Sequence, residues 1–248
     1  SLTCGQMPNK PPINEQIEQA NCFHSHSFLT DWHAAKCAQE LGPNIIRSHI
    51  ITRNAPSPMV WETHALNRKV QKISRKNPIT VAYTSTPFRG LDALLKIWPD
   101  VHKKEPMSKL RIYSSMKVYG WAEKQDNEEF GHLYEKAKNM PGVEYVGSVN
   151  QGALARVLKK TDVWAYPCVY EEVSCISAME AMASGCRIVC MDNGALPETT
   201  THGAPEHVHV APDMKLFESQ LAECIASVRK SGQANHGRKF RPSHKVPK

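Results

Sequence analysis

The stretch that decides the fold runs Tyr166-Pro167-Cys168-Val169-Tyr170-Glu171-Glu172-Val173-Ser174-Cys175-Ile176-Ser177-Ala178-Met179-Glu180-Ala181-Met182-Ala183-Ser184-Gly185 and continues as Cys186-Arg187-Ile188-Val189-Cys190. It reads as the end of a strand, a loop, a helix, a tight stop and a second strand. Ser174 is a natural N-cap, because a hydroxyl there accepts a free N–H of the first turn. Gly185 suits the left-handed residue that ends a helix. The helix 175–184 carries Ala, Met, Ile and Cys on every side apart from its serines, so burial nearly all round is expected. Glu180 is the exception. A carboxylate in such surroundings is costly unless donors meet it, so an internal ion pair, an outlet to solvent or a ligand must satisfy it.

Outward from this segment, short β-branched or apolar runs alternate with helical patterns from residue 79 on. Strands are expected at Ile79–Thr84, Leu110–Ser114, Val143–Val146, Val163–Tyr166, Arg187–Met191 and His207–Val210. Helices are expected at Leu91–Trp98, Glu128–Lys138, Gln151–Lys160, Cys175–Ser184 and Met214–Val228, with Asn150 and Asp213 as caps. The alternation predicts an α/β domain, a Rossmann-like doubly wound parallel sheet, over residues 79–228.

Residues 1–56 hold about one strand–helix–strand unit: a strand around Asn21–Phe28, a helix Leu29–Leu41 stopped by Gly42-Pro43, and a strand Ile45–Thr52. That is too little to cover both faces of a parallel sheet, so it reads as an orphaned edge of a further domain. A linker, 57–78, follows, introduced by Arg53-Asn54-Ala55-Pro56-Ser57-Pro58 and continuing as a basic helical stretch. The end, 229–248, reads as a basic flexible tail without an acidic residue.

The formal charge is +7, which favours anionic partners such as phosphates, nucleotides or an acidic membrane face. No aromatic interleaving supports specific nucleic-acid binding by the tail. The eight cysteines form no Cys-x-x-Cys pair, which fits a reducing compartment. The His24/His26 and His207/His209 pairs lack a third ligand at sensible spacing, so no metal is expected. The chain opens without a leader pattern and has no run near the roughly 20 apolar residues of a membrane span. The expectation is a cytoplasmic protein, with peripheral contact at the inner membrane face.

Ligands of open α/β sheets bind outside the carboxyl ends of the strands, where helix N-termini offer free N–H groups to phosphate. Glu172 falls in the loop at that place and Glu180 lies about two turns into the helix behind it. A nucleoside diphosphate on the amides of Ser174, Cys175 and Ile176 would present sugar hydroxyls to Glu172 and ribose hydroxyls to Glu180.

Glu172 and Glu180, with seven residues between them and Glu-Ala-Met-Ala-Ser-Gly starting at the second, resemble the E-x7-E motif of retaining GT-B glycosyltransferases, particularly family 4. Val143-Glu144-Tyr145-Val146-Gly147, Asp162-Val163-Trp164-Ala165-Tyr166-Pro167 and Gly194-Ala195-Leu196-Pro197-Glu198 follow the order of that family, so the resemblance spans roughly 79–228. It implies that Glu180 binds the nucleotide ribose and Glu172 the donor sugar.

In Thr84-Ser85-Thr86-Pro87-Phe88-Arg89-Gly90-Leu91-Asp92, Arg89 stands where the family carries a lysine on the diphosphate. Thr84, with Ser85 beside it, stands where the family usually carries an arginine. Without the family, Arg89 reads as a surface cation near a helix start. Val173-Ser174-Cys175 replaces the commoner Gly-Phe-Gly, and Ser148 and Val149 fall where the family lays the nucleotide base.

The resemblance further implies a UDP-, GDP- or ADP-linked sugar as donor, no cofactor or metal, and a glycan or lipid acceptor held mainly by an N-terminal domain of which this sequence shows only a remnant. The polypeptide alone is therefore expected to bind donor and to be weakly active or inactive. Apolar surface facing the remainder of such a domain favours self-association. Two other readings stand: a sugar-nucleotide epimerase or glycan phosphorylase of the same architecture, and a non-catalytic nucleotide-binding or interaction module.

Overall fold

A computed structural model of the chain describes residues 12–60, 77–201 and 207–231. The main unit is a six-stranded sheet formed by β3 (Ile79–Tyr83), β4 (Ser108–Ile112), β5 (Val143–Tyr145), β6 (Val163–Tyr166), β7 (Arg187–Met191) and β8 (Val208–Ala211). A smaller pair, β1 (His26–Phe28) and β2 (His49–Ile51), precedes it. In space the large sheet is ordered β5-β4-β3-β6-β7-β8, and every neighbouring pair is parallel. The expected Rossmann-like doubly wound sheet is therefore present. Its strand order reverses between β3 and β6, which leaves a crevice at their carboxyl ends.

The composition of the central strands follows from that position. Val163, Trp164, Ala165 and Tyr166 are all fully buried, as are Ile79, Val81, Ala82 and Tyr83, because helices cover both faces. On one side α3 (Leu91–Lys104) lays Leu91, Leu94, Leu95, Trp98 and Val101 into the core. This helix overruns its expected end at Trp98 and passes through Pro99. The three-to-four spacing of buried apolar residues continues to Val101, and the indole N–H of Trp98 donates to the carbonyl of Pro141 at 3.2 Å. Packing thus outweighs the backbone bond lost at proline.

The helix α4 (Glu123–Lys138) begins a turn before its expected start, on a polar and acidic first turn that carries no apolar signal. Its buried Asp126 accepts from Ser115 Oγ at 2.5 Å, the Met116 N–H at 3.1 Å and Tyr134 Oη at 2.6 Å. α5 (Gln151–Leu158) is capped by Asn150, whose side chain accepts from the Ala153 N–H at 2.9 Å. After it come α6 (Ile176–Ala183), the short α7 (Leu196–Thr200) and α8 (Met214–Ser231). Asp213 caps α8 through the Leu216 N–H at 2.8 Å. Arg229 and Lys230, expected in a tail, are helical, and Arg229 meets Glu105 at 3.3 Å and the Met107 carbonyl at 2.8 Å. The remainder of that tail lies outside the described residues.

The N-terminal unit has one helix that the sequence reading lacks. α1 (Ile13–Asn21) occupies residues before the first strand, and the strand itself is shorter than Asn21–Phe28. α2 (Asp31–Leu41) follows, with Thr30 Oγ1 accepting from the His33 N–H. Ala20, Phe28, Ala34, Cys37, Leu41 and Ile45 form its own small core. Of the segment expected as linker, 57–60 are described, and 61–76, where a basic helical stretch is expected, lie outside the described residues. No described helix is long and apolar enough to cross a membrane.

Candidate functional site

Three loops meet at the carboxyl ends of β3, β6 and β7. The first, 84–90, ends in Gly90 with φ +112, where an added Cβ would stand 2.1 Å from the Pro167 carbonyl oxygen of the loop after β6. From the other side Gly194, after β7, has φ +60, and a Cβ there would stand 2.5 Å from both the N and O of Glu172. The Ala195 N–H donates to the Glu172 carbonyl at 2.6 Å. Glycine is required at both places by backbone approach as well as by conformation. The loop carrying Glu172 is thereby held on both sides.

Glu172 is 3% exposed. Its Oε1 accepts from the guanidinium of Arg89 and from the hydroxyl of Tyr166, and the thiol of Cys168 lies at 3.9 Å. Tyr166 Oη is also 3.4 Å from Ser85 Oγ. The second amino group of Arg89 donates to Tyr119 Oη at 3.2 Å, and its Cζ lies 5.4 Å from the ring centre of Phe88 and 5.2 Å from that of Tyr170. Burial works against the charge on Arg89, but Glu172, Tyr166 and Tyr119 outweigh it and hold the pKa above the ordinary arginine value. Arg89 is thus a fixed cation in the crevice.

Glu180, on α6, is likewise 3% exposed. Gln151, the first residue of α5, donates its side-chain amide to Oε1, and the backbone of Ser57 supplies a further hydrogen bond. Burial raises the Glu180 carboxyl above the ordinary value, and these two donors oppose the rise. Among the described residues no cation pairs with Glu180, whose partners there are neutral donors.

The expected cap at Ser174 is a correction. The residue preceding α6 is Cys175, no side chain caps this helix, and Ser174 Oγ is buried without a hydrogen-bond partner among the described residues. The chain enters the helix one residue later than expected, and just before it the Val173 carbonyl accepts from Thr30 Oγ1 at 2.8 Å. The consequence is an uncapped N-terminus at Cys175 and Ile176, the latter 45% exposed, with amide groups suited to an anion. Burial pushes the thiol of Cys175 well above its ordinary value and that of Cys168 up to about 11, so neither is a ready nucleophile near neutral pH.

The other expected residues divide. Ser85 joins the crevice through Tyr166, whereas the buried Thr84 hydroxyl accepts the Trp164 indole N–H at 2.8 Å in the interior and is turned away from the crevice groups. Ser148 is exposed and Val149 half-buried, on the loop leading into Gln151 and hence toward Glu180. Tyr119, Tyr166 and Gln151 are site residues that the sequence reading did not name. Among the described residues no three His, Cys, Asp or Glu side chains are grouped as metal ligands.

This sheet, its crevice and the sequence around it define a class. The model of the glycosyl transferases group 1 family matches residues 64–236, most of the chain, and the protein belongs to that family. No curated protein sequence matches it. Among solved structures it is similar to HepE of Anabaena in complex with UDP-glucose, with 15% identity, a TM-score of 0.65, and coverage of 91% of this chain and 61% of that one. An alpha,alpha-trehalose-phosphate synthase (UDP-forming) from Burkholderia vietnamiensis gives 12% identity, a TM-score of 0.64, and coverage of 91% and 57%. The pneumococcal O-GlcNAc transferase GtfA in complex with UDP and GlcNAc gives 12%, 0.58, 90% and 42%. These likenesses show a shared GT-B fold, of which the chain spans between 42% and 61% of each neighbour.

Proposed function

We propose that this chain binds a nucleoside-diphosphate sugar for retaining glycosyl transfer, with Glu172 on the sugar hydroxyls, Glu180 on the ribose, and Arg89 and the α6 amides on the diphosphate. The observation that carries the reading is the pair of nearly inaccessible carboxylates, one beside a fixed cation and one beside neutral donors, flanking an uncapped helix N-terminus at the sheet's switch point. An anion on that terminus and on Arg89 is stabilised as charge develops on the departing phosphate. Arg89 and the amides supply that positive charge themselves, so we assign the chain no metal requirement. Ser148 and Val149 border the Gln151 end of the site and are assigned to the nucleotide base.

Two of the similar structures contain UDP or UDP-glucose, which makes the uridine series the first to try. The acceptor, a glycan or lipid, is assigned to surfaces beyond the loops described. No disulfide joins the seven described cysteines to one another, in keeping with a cytoplasmic setting. The test is calorimetric titration of UDP, GDP and ADP in the presence of a chelator. Saturable binding of one of the three is expected, and failure of all three contradicts the assignment.

A further inference from the structure

We infer that donor binding exchanges the Arg89–Glu172 ion pair for two new partnerships, so that recognition of the sugar and of the diphosphate are coupled. This rests on the donor assignment above.

The cation and the carboxylate assigned to different parts of the donor satisfy each other in the structure. Arg89 is the cation paired with Glu172 in the described structure, and Glu172 is almost wholly inaccessible. The remaining guanidinium nitrogen of Arg89, Nε, is buried without a partner among the described residues. A diphosphate on Arg89 draws positive charge away from Glu172. A buried carboxylate deprived of its cation is strongly destabilised. The hydroxyls of a bound sugar repair the loss by donating to Glu172. A nucleoside diphosphate has no such hydroxyls and binds against the intact pair.

The surrounding contacts allow an exchange without refolding the loops. Tyr166, fully buried, keeps its hydroxyl on Glu172, and Tyr119 keeps the far amino group of Arg89. Phe88 and Tyr170, which meet edge to face at 6.0 Å, lie 5.4 and 5.2 Å from the guanidinium and present aromatic surface to it. The pair then favours the sugar-bearing substrate over the diphosphate product, which eases product release.

The test compares UDP with UDP-glucose, GDP with GDP-mannose and ADP with ADP-glucose on the full chain and on Glu172→Gln, by calorimetry at one pH and salt. In the wild type the sugar nucleotide should bind at least about 10-fold tighter than its diphosphate. In Glu172→Gln, Arg89 is released, so the diphosphate should bind about 5-fold tighter than to wild type and the preference for sugar should collapse. Unchanged or weaker diphosphate binding by a folded Glu172→Gln overturns the exchange, because a sugar that merely adds contacts leaves diphosphate affinity alone. Should the variant not fold, equal wild-type affinities for the two ligands overturn it. Absence of binding by all six overturns the donor assignment itself.

Discussion

Arg89 and Glu172, 83 residues apart in sequence, form a direct ion pair between the loops that leave β3 and β6. Arg89 also reaches Tyr119, so its planar fork serves two partners in different directions. Arg89→Ala is expected to weaken nucleoside-diphosphate binding by about 10- to 100-fold, a loss on the order of 1.4–2.8 kcal/mol. Arg89→Lys should recover only part of it, because an ammonium on a flexible stem lacks the fork. Titration calorimetry of both variants with the best-binding diphosphate checks this.

Glu180 is pushed above its ordinary pKa by burial, against the donors Gln151 and Ser57. A carboxyl with a raised folded pKa binds more protons folded than unfolded, so its contribution falls as pH rises from the ordinary carboxylate value through the raised one. Glu180→Gln keeps an acceptor for Gln151 and removes that cost. The variant should be at least as stable as wild type at neutral pH, the difference shrinking toward acid, while its nucleotide affinity falls by about 10-fold or more. Thermal melts across pH, paired with titrations, test both halves. A variant less stable at neutral pH with binding intact contradicts the assigned role.

Gly90 combines a positive φ with backbone contact against Pro167. Gly90→Ala should cost about 3 kcal/mol of stability and displace Arg89, its neighbour. Denaturant unfolding gives the first, and a parallel loss of diphosphate binding gives the second. Retention of both would show that the two loops separate freely.

Glu198 joins the N-terminal unit to the sheet. Its carboxylate accepts from the backbone N–H groups of Asp31 at 3.0 Å and Trp32 at 2.9 Å, at the start of α2, and from Arg53 at 3.2 Å. Burial acts to raise its pKa, but these hydrogen bonds and Arg53 win and lower it. A lowered folded pKa gives stability that is present above the ordinary carboxylate range and is lost as pH falls through the lowered value. Glu198→Ala should therefore loosen α2 by about 2 kcal/mol near neutral pH, with little further change in acid. Hydrogen exchange of the α2 amides reads this directly, and unchanged protection would contradict it.

The main sheet is legible in the sequence because its strands are buried on both faces and read as continuous apolar runs, as in Val163–Tyr166. α3 is legible in place but not in length, since Pro99 marks a stop that the burial of Val101 overrides. α1 carries only a short apolar period, Ile13, Ile17 and Ala20, among polar residues, and α7 has five residues, so both give a weak signal. At the site, the spacing of Glu172 and Glu180 marks the two carboxylates and the loop after β3 marks Arg89. Tyr119, Tyr166 and Gln151 acquire their roles only by contacts that depend on how separate loops come together. Ser174 shows the converse: a residue type suited to a local cap whose hydroxyl is buried and unused among the described residues, in a loop held by Thr30 at the preceding carbonyl.

A crystal structure of the chain with its tightest-binding nucleotide sugar tests the central assignment most directly. The account predicts ribose hydroxyls on Glu180, the diphosphate between Arg89 and the amino end of α6, and sugar hydroxyls on Glu172. A nucleotide bound away from the β3–β6 crevice, with the contacts of Glu172 and Glu180 unchanged, would contradict it.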